Sequence, residues 1–362
     1  MPDKFKGTLT AQEAAEAMAR GWSSARTNDS IELLPMSDGG DGFGVVLSQL
    51  VGAETRTTKT VDAAHRALSA EWWWEPKSKT AIIEVARVNG LAQLPAGKFH
   101  PFELDTFGLG EVFRDAKNAG AKRCIMGIGG SATNDGGFGV ARAMGWEFFN
   151  AKSALLDRWT DLHSLSQIKI PQRDRWFERF DVAVDVNNPL LGPTGCTRVY
   201  GPQKGLKETD FEFAERCLAA LASVAQQELH VNTAAEPGAG AAGGLGFGLR
   251  TFLGAKLEPG FELFAQWAKL TSRIEAVDFV LTGEGAIDEQ TLMGKGVGEL
   301  AALCRKLKKP CIGLAGIVTD EDKARRLFTD VRSMTALTSA DESRTNAGRW
   351  LEEIAQRSAQ SV

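Results

Sequence analysis

Along this chain short β-rich apolar runs alternate with stretches of helical period, the pattern of a mostly parallel α/β sheet. Thr10 followed by Glu13 makes a capping box, and Ala14, Ala15, Met18 and Trp22 then recur at helical spacing. Residues 31–34 read as a strand and 44–50 as the helix after its loop. From residue 58 to 85 the character changes: Trp72, Trp73, Trp74 and the apolar run 81–85 predict antiparallel strands. Further strands are expected at 123–128, 180–186, 277–281 and 311–315, with Val182, Val184 and Val186 sharing one face. Helices are expected at 138–146, 211–228, 297–307 and 345–359. Only Met1 and Pro2 precede Asp3. A chain of this type should open with a strand, so either that strand is missing or the sheet begins with the next one.

Several of these strands end in a loop of glycines and carboxylates, and in open parallel sheets the ligand crevice lies outside the carboxyl ends of the strands. The loops follow the strands at 35–42, 129–137, 187–190 and 282–288, and they should converge. The run 127–132 fits GxGxxA on a strand-to-helix turn, where small residues let amides approach phosphate and a helix N-terminus adds a positive dipole. A dinucleotide site would need an acidic strand end about 20 residues on. Asp157 is near that distance, but its surroundings do not look like a strand end. A nucleotide phosphate loop and a packed turn are the other readings. Residues 237–246 contain a literal GxGxxG with no strand before it, which leaves a helix-packing turn and a second anion loop open. Gly294-Lys295 is no Walker A motif, because Glu289 and Gly296 occupy its other key positions.

Composition narrows the class. A length of 362 residues with 43% hydrophobic and 24% charged positions is that of an ordinary globular protein of about two domains. The net charge of −4 and the short basic clusters argue against nucleic acid as a partner. No apolar run approaches the ~18 residues of a membrane span, and the N-terminus has no signal-peptide pattern. Five scattered cysteines without a CxxC pair point to a reduced, cytoplasmic protein. Four histidines without metal spacing argue against zinc or a histidine-centred triad. The 39 glycines are the anomaly, and more than half fall in four windows at 39–44, 127–139, 238–248 and 283–298.

The charged groups in the loops fit phosphoryl transfer, which needs Mg²⁺, cations on the phosphates and an acceptor for the hydroxyl proton. Asp38, Asp185, Glu284 and Asp288 are the candidate carboxylates; Lys6, Lys204 and Lys295, each beside a glycine, are the candidate cations.

Taken together, the loops resemble the class I glycerate kinases of bacteria. The segments that carry the likeness are 2–11 (PDKFKGTLTA), 37–43 (SDGGDGF), 127–137 (GIGGSATNDGG), 185–192, 201–205 (GPQKG), 237–244 (PGAGAAGG) and 282–295. They cover nearly the whole chain in the family's order. The likeness implies ATP- and Mg²⁺-dependent phosphorylation of D-glycerate, commonly to 2-phosphoglycerate. It also implies two α/β domains: a Rossmann-like one from residues 1–57 and 260–362, and an inserted mixed one from 58–259, with the active site in the interdomain cleft. On this reading Gly129, Gly130, Ser131, Ala132, Thr133 and Asn134, with Gly238 and Gly240, cradle ATP. Asp38 and Glu284 hold the metal, while Asp185, Asp288, Lys6, Lys204 and Lys295 are catalytic. The partners are then small molecules, not membranes or nucleic acids, and a homodimer is one allowed assembly. Lys4, Ser37, Asp41 and Phe43 depart from the family's usual Ser, Ala, Glu and Thr, and the opening strand is not there. Those departures motivate a second reading, an impaired paralogue that binds a hydroxy acid or nucleotide. A dehydrogenase reading rests on the GxGxxA match alone.

Overall fold

A computed structural model describes every residue except Asp41, Arg173, Asp174, Gly294 and Val362. Two motif positions, Asp41 and Gly294, therefore lie outside the described residues. The chain forms two compact units, one of residues 39–260 and one of residues 1–38 with 261–362.

In the larger unit a mixed sheet runs β1 (Glu54–Val61), β2 (Ala67–Glu75), β3 (Thr80–Glu84), β4 (Arg123–Gly127), β7 (Arg179–Val184) and β8 (Lys256–Pro259), in that spatial order. The first three are antiparallel, as the tryptophan-rich stretch predicts, and β3, β4, β7 and β8 are parallel. Strands β3, β4 and β7 are buried on both faces; β7, expected to alternate with its valines on one face, buries Asp181 and Ala183 as well. A separate hairpin pairs β5 (Glu147–Asn150) with β6 (Leu165–Lys169). Edge-to-face rings knit the core, with Phe113 against Phe180 at 5.5 Å and Phe148 against Phe252 at 5.7 Å. The helix Phe43–Val51, which the sequence reading gives to the first segment, groups with this unit. Its Gly44 lies so close to Trp73 that a Cβ would stand 2.2 Å from the indole ring.

In the smaller unit three parallel strands, β9 (Val280–Ile287), β10 (Cys311–Val318) and β11 (Asp330–Ser333), pair in the order β11-β10-β9. The helices Ala11–Ala25 and Ala347–Ala359 cross closely, because Gly21 admits the Glu352 carbonyl to where a Cβ would be 2.0 Å away. Their apolar faces bury Met18, Trp22, Leu351 and Ile354 with Ile312 and Leu314 of β10. The Thr10 capping box is present: Glu13 N donates to Thr10 Oγ1 at 3.2 Å, and Thr10 N donates to Glu13 at 2.8 Å.

Two expectations are corrected here. Residues 31–34 form no strand; Ile31 and Leu33 are 38% and 41% exposed. A strand needs a neighbouring ladder. Along the edge of β9 away from β10 run Met1 to Asp3: the Met1 amine donates to Leu281 O at 2.6 Å, and Asp3 N to Gly283 O at 2.9 Å. Met36 N then donates to Pro2 O, while residues 31–34 face a cavity of about 540 Å³ lined also by Trp22, Phe279 and Leu281. The second correction concerns residues 282–287, expected in a loop, which continue strand β9. Gly283 permits this, because its missing side chain lets Leu314 O approach to within 1.9 Å of where a Cβ would be. Among the described residues no helix is long and apolar enough to cross a membrane.

Candidate active site

The larger unit gathers three of the glycine loops and the Asn-Asn-Pro-Leu loop after β7. Gly129 N donates to Gly39 O at 3.4 Å, Gly136 N to Gly243 O at 3.1 Å, and Gly240 N to Asn188 O at 2.9 Å, so the loops at 39–42, 127–137, 187–190 and 238–244 touch in series. Glu84, at the end of β3, anchors the first of them by accepting from Gly42 N at 2.7 Å and Gly44 N at 3.3 Å.

The GxGxxA turn differs from its expected form. Strand β4 ends at Gly127, and ten residues pass before the helix Phe138–Ala143 begins. The first amides of that six-residue helix are already taken. Buried Asp135 accepts from Gly137 N (3.2 Å), Gly139 N (2.9 Å), Thr106 N (2.9 Å) and Thr106 Oγ1 (2.7 Å). The protein's own carboxylate thus occupies the helix end that the motif assigns to phosphate. Burial, and next the charge of Asp105, push Asp135 above the usual carboxylate range.

Exposure divides the predicted cradle. Gly130 is exposed and Gly129 half-buried, whereas Ser131, Ala132, Thr133 and Asn134 are buried beneath them. Leu91 N holds Gly130 O at 2.9 Å, and Ala132 N donates to Asn89 O at 2.8 Å. Gly238 and Gly240 are buried too, and Gly240 has given its amide to Asn188. Gly243 has φ +70°, and a Cβ there would lie 1.9 Å from Thr133 O. For residues 237–246 the geometry favours the packing turn over a second anion loop. Lys204 is 7% exposed, and its Nζ donates to Thr133 O at 2.6 Å. Asp185 follows β7 and is exposed; with burial the larger cause, its charge helps push Tyr200 up to about 12.

The smaller unit gathers carboxylates. Glu284, on β9, accepts from Thr291 Oγ1 at 2.6 Å. Burial first, then Asp3, Asp288 and Asp38 against the opposing Thr291 bond, push it up to about 8. Asp3 is pushed up to about 7 by burial and then by Asp38, and Glu299 to about 7 by burial, Asp38 and Glu262, with Lys295 opposing. Asp288 accepts from Gln290 N at 2.8 Å and Thr291 N at 3.4 Å, capping the short helix Glu289–Leu292. A Cβ on Gly296 would stand 3.9 Å from Asp38 Oδ2, which places that carboxylate over the turn bearing Lys295. Lys6 and Lys295 are both exposed, and Gly285 lies beneath the Lys6 amide. Among the described residues no three His, Cys, Asp or Glu side chains stand in a metal-holding group.

The structure thus brings Asp38, Glu284, Asp288, Lys6 and Lys295 into one unit and the loop residues, Asp185 and Lys204 into the other. The sequence model of the glycerate kinase family matches residues 1–362. The chain belongs to the glycerate kinase family. It is 37% identical over 324 residues to the glycerate 2-kinase of Escherichia coli, covering 88% of this chain and 85% of that one. It is 35% identical to the glycerate kinase of Bacillus subtilis, covering 100% of this chain and 96% of the other. The crystal structure of a glycerate kinase 2 from Salmonella typhimurium LT2 superimposes with a TM-score of 0.86 at 32% identity, covering 99% of this chain and 96% of that one. Membership makes this protein a phosphotransferase with the α/β fold its pattern predicts. Sequence reasoning did not single out Glu84 or Glu299, which the fold places beside the candidate residues, and left Asp3 out of its list of candidates. Glu84 acts 42 residues away from the loop it holds, so no local motif could mark it. Asp3 stood in a matched segment and was legible there.

Proposed function

We propose that this kinase transfers the γ-phosphoryl group of ATP to a hydroxyl of D-glycerate, giving 2-phosphoglycerate and ADP. The observation that carries the reading is the crowd of carboxyl groups at Asp3, Asp38, Glu284 and Asp288 in the unit that also presents Lys6 and Lys295. Like charges held close and out of water raise one another's proton affinity, and such a group is discharged by a proton or a cation. Its donors are hard oxygens, which suit Mg²⁺, and an ion that keeps several waters needs only one or two carboxylates, here Asp38 and Glu284. When bound, Mg²⁺ would offset the charge of the phosphates.

The remaining roles fall to the protein's own groups. In the larger unit Gly129 and Gly130 offer the accessible backbone of the glycine loop to phosphate. Lys6 and Lys295 offer point charges to the oxygens of the transferring group. Asp288 in the smaller unit, or Asp185 in the larger, is the carboxylate that accepts the proton of the glycerate hydroxyl as the new O–P bond forms and the bond to the ADP oxygen breaks. An assay of ADP release with ATP, Mg²⁺ and D-glycerate tests this, with ³¹P NMR of the product to separate the 2- from the 3-phosphate. Absence of turnover with glycerate and related hydroxy acids would overturn the reading, and a 3-phosphate product would overturn the position.

A further inference from the structure

We propose that Lys204 is a positioning residue: its ammonium fixes the turn beneath the exposed glycines, Gly129 and Gly130, and does not meet the transferring phosphoryl group. The proposal rests on the reading that this loop holds phosphate. Lysine beside glycine in a kinase invites the opposite role, a cation on phosphate, so the geometry decides.

The helix Cys196–Lys204 grips the loop at both of its ends. In its first turn Thr197 Oγ1 accepts from Asn134 Nδ2 at 3.1 Å, and in its last turn Lys204 Nζ donates to Thr133 O at 2.6 Å. Thr197 is fully buried and Lys204 nearly so, so neither bond is shared with bulk water. The backbone of Gly243 packs on the same Thr133 carbonyl from another side. The grip passes along a short chain of contacts. Thr133 N donates to Ser131 Oγ at 3.2 Å, Ala132 N to Asn89 O at 2.8 Å, and Leu91 N closes on Gly130 O at 2.9 Å. Electrostatics fit the same role. Asp135, also fully buried, spends its oxygens on the amides of residues 106, 137 and 139 and on the Thr106 hydroxyl, and it forms no ion pair with Lys204. Burial lowers Lys204 to about 8, against the opposing influence of Cys196 and then Asp135. A buried cation bonded to a neutral carbonyl costs desolvation, and these neighbours offset that cost only in part.

The test uses the whole chain with Lys204→Met, Lys204→Arg, Thr197→Val and the Lys204→Met/Thr197→Val double variant. Amide hydrogen exchange of residues 129–137 should speed at least about tenfold in Lys204→Met, while the helix Ala11–Ala25 keeps its protection. Calorimetry and kinetics should show ATP binding weakened and KM for ATP raised about tenfold, with kcat within about threefold and Lys204→Arg largely restored. Because both residues act on one turn, the double variant should be little worse than the worse single one. A fall in kcat of about a hundredfold at unchanged KM, multiplying with Thr197→Val, would overturn the positioning role, as would unchanged exchange. Faster exchange with unaltered ATP affinity would leave Lys204 as the clamp and remove the phosphate reading of the loop. Should Lys204→Met not fold, Thr197→Val carries the same exchange and KM signature in smaller measure, and its absence there counts against the proposal.

Discussion

The glycine loops of the larger unit and the carboxylate group of the smaller one are the two chemically dense regions, and they are built on opposite principles. In the loops, buried polar groups find partners many residues away: Glu84 on Gly42 and Gly44, Asp135 on Thr106, Lys204 on Thr133. Their glycines chiefly let one backbone lie against another. In the carboxylate group Glu284 and Asp3 are half-buried beside their own kind, and both are held above the usual carboxylate range. One region is held by hydrogen bonds between its own groups, with Asn134 Oδ1 left over, and the other is left with a debt of charge. A dense glycine motif therefore measures backbone proximity first, and ligand contact only at the few positions that reach the surface.

Four substitutions would break or sharpen that contrast. The largest effect is expected from Gly243→Ala, where a Cβ would meet Thr133 O at 1.9 Å in a left-handed backbone. A loss of about 4 kcal/mol in urea unfolding is expected, and a loss under about 1 kcal/mol would show that these loops are not tightly packed. Asp135→Asn comes next, at about 2–3 kcal/mol, because it weakens charge-assisted bonds to buried donors.

In the smaller unit the sign should reverse. Glu284→Gln should cut phosphorylation of glycerate at least about tenfold while leaving the fold slightly more stable at pH 8. The pH dependence has the same origin. Glu284, Asp3 and Glu299 hold protons in the folded chain up to about 8, 7 and 7, whereas unfolded they release them near the usual 4.5, 3.8 and 4.5. Folding then takes up protons, so these groups make stability fall as pH rises from about 5 to 8. The Met1 amine, lowered to about 5 by burial, works the other way between 5 and 8. Three carboxyls against one amine leave a net fall in Tm from pH 6 to pH 8, and Glu284→Gln should flatten it. A Tm that climbs over that range would contradict the crowded-carboxylate picture. The smallest effect, about 0.5–1 kcal/mol on stability and none on turnover, is expected for Thr10→Ala, which removes an exposed cap bond.

Legibility in the sequence followed the range of the forces involved. The Thr10–Glu13 cap, the antiparallel tryptophan strands and the doubly buried β3, β4 and β7 were readable because periodicity and capping act within a few residues. Strand 31–34 was misread because an apolar alternating run says nothing of whether a ladder partner stands beside it. The extent of β9 was misread for a related reason: Gly283 and Gly285 look like loop residues but serve a strand packed against β10. Within the site, residue types were visible and their company was not. The Asp135 cap is local and went unread, whereas nothing local told that Thr106 would share that carboxylate or that Lys204 would turn inward.

The close crossing at Gly21 has a consequence for synthesis. The helix Ala11–Ala25 buries Met18 and Trp22 against β10 and the helix Ala347–Ala359, which the ribosome makes last. Until those residues emerge, the apolar face of the first helix has no partner, so the core of the smaller unit closes after the larger unit has been made. Shortening the final helix would therefore expose the first.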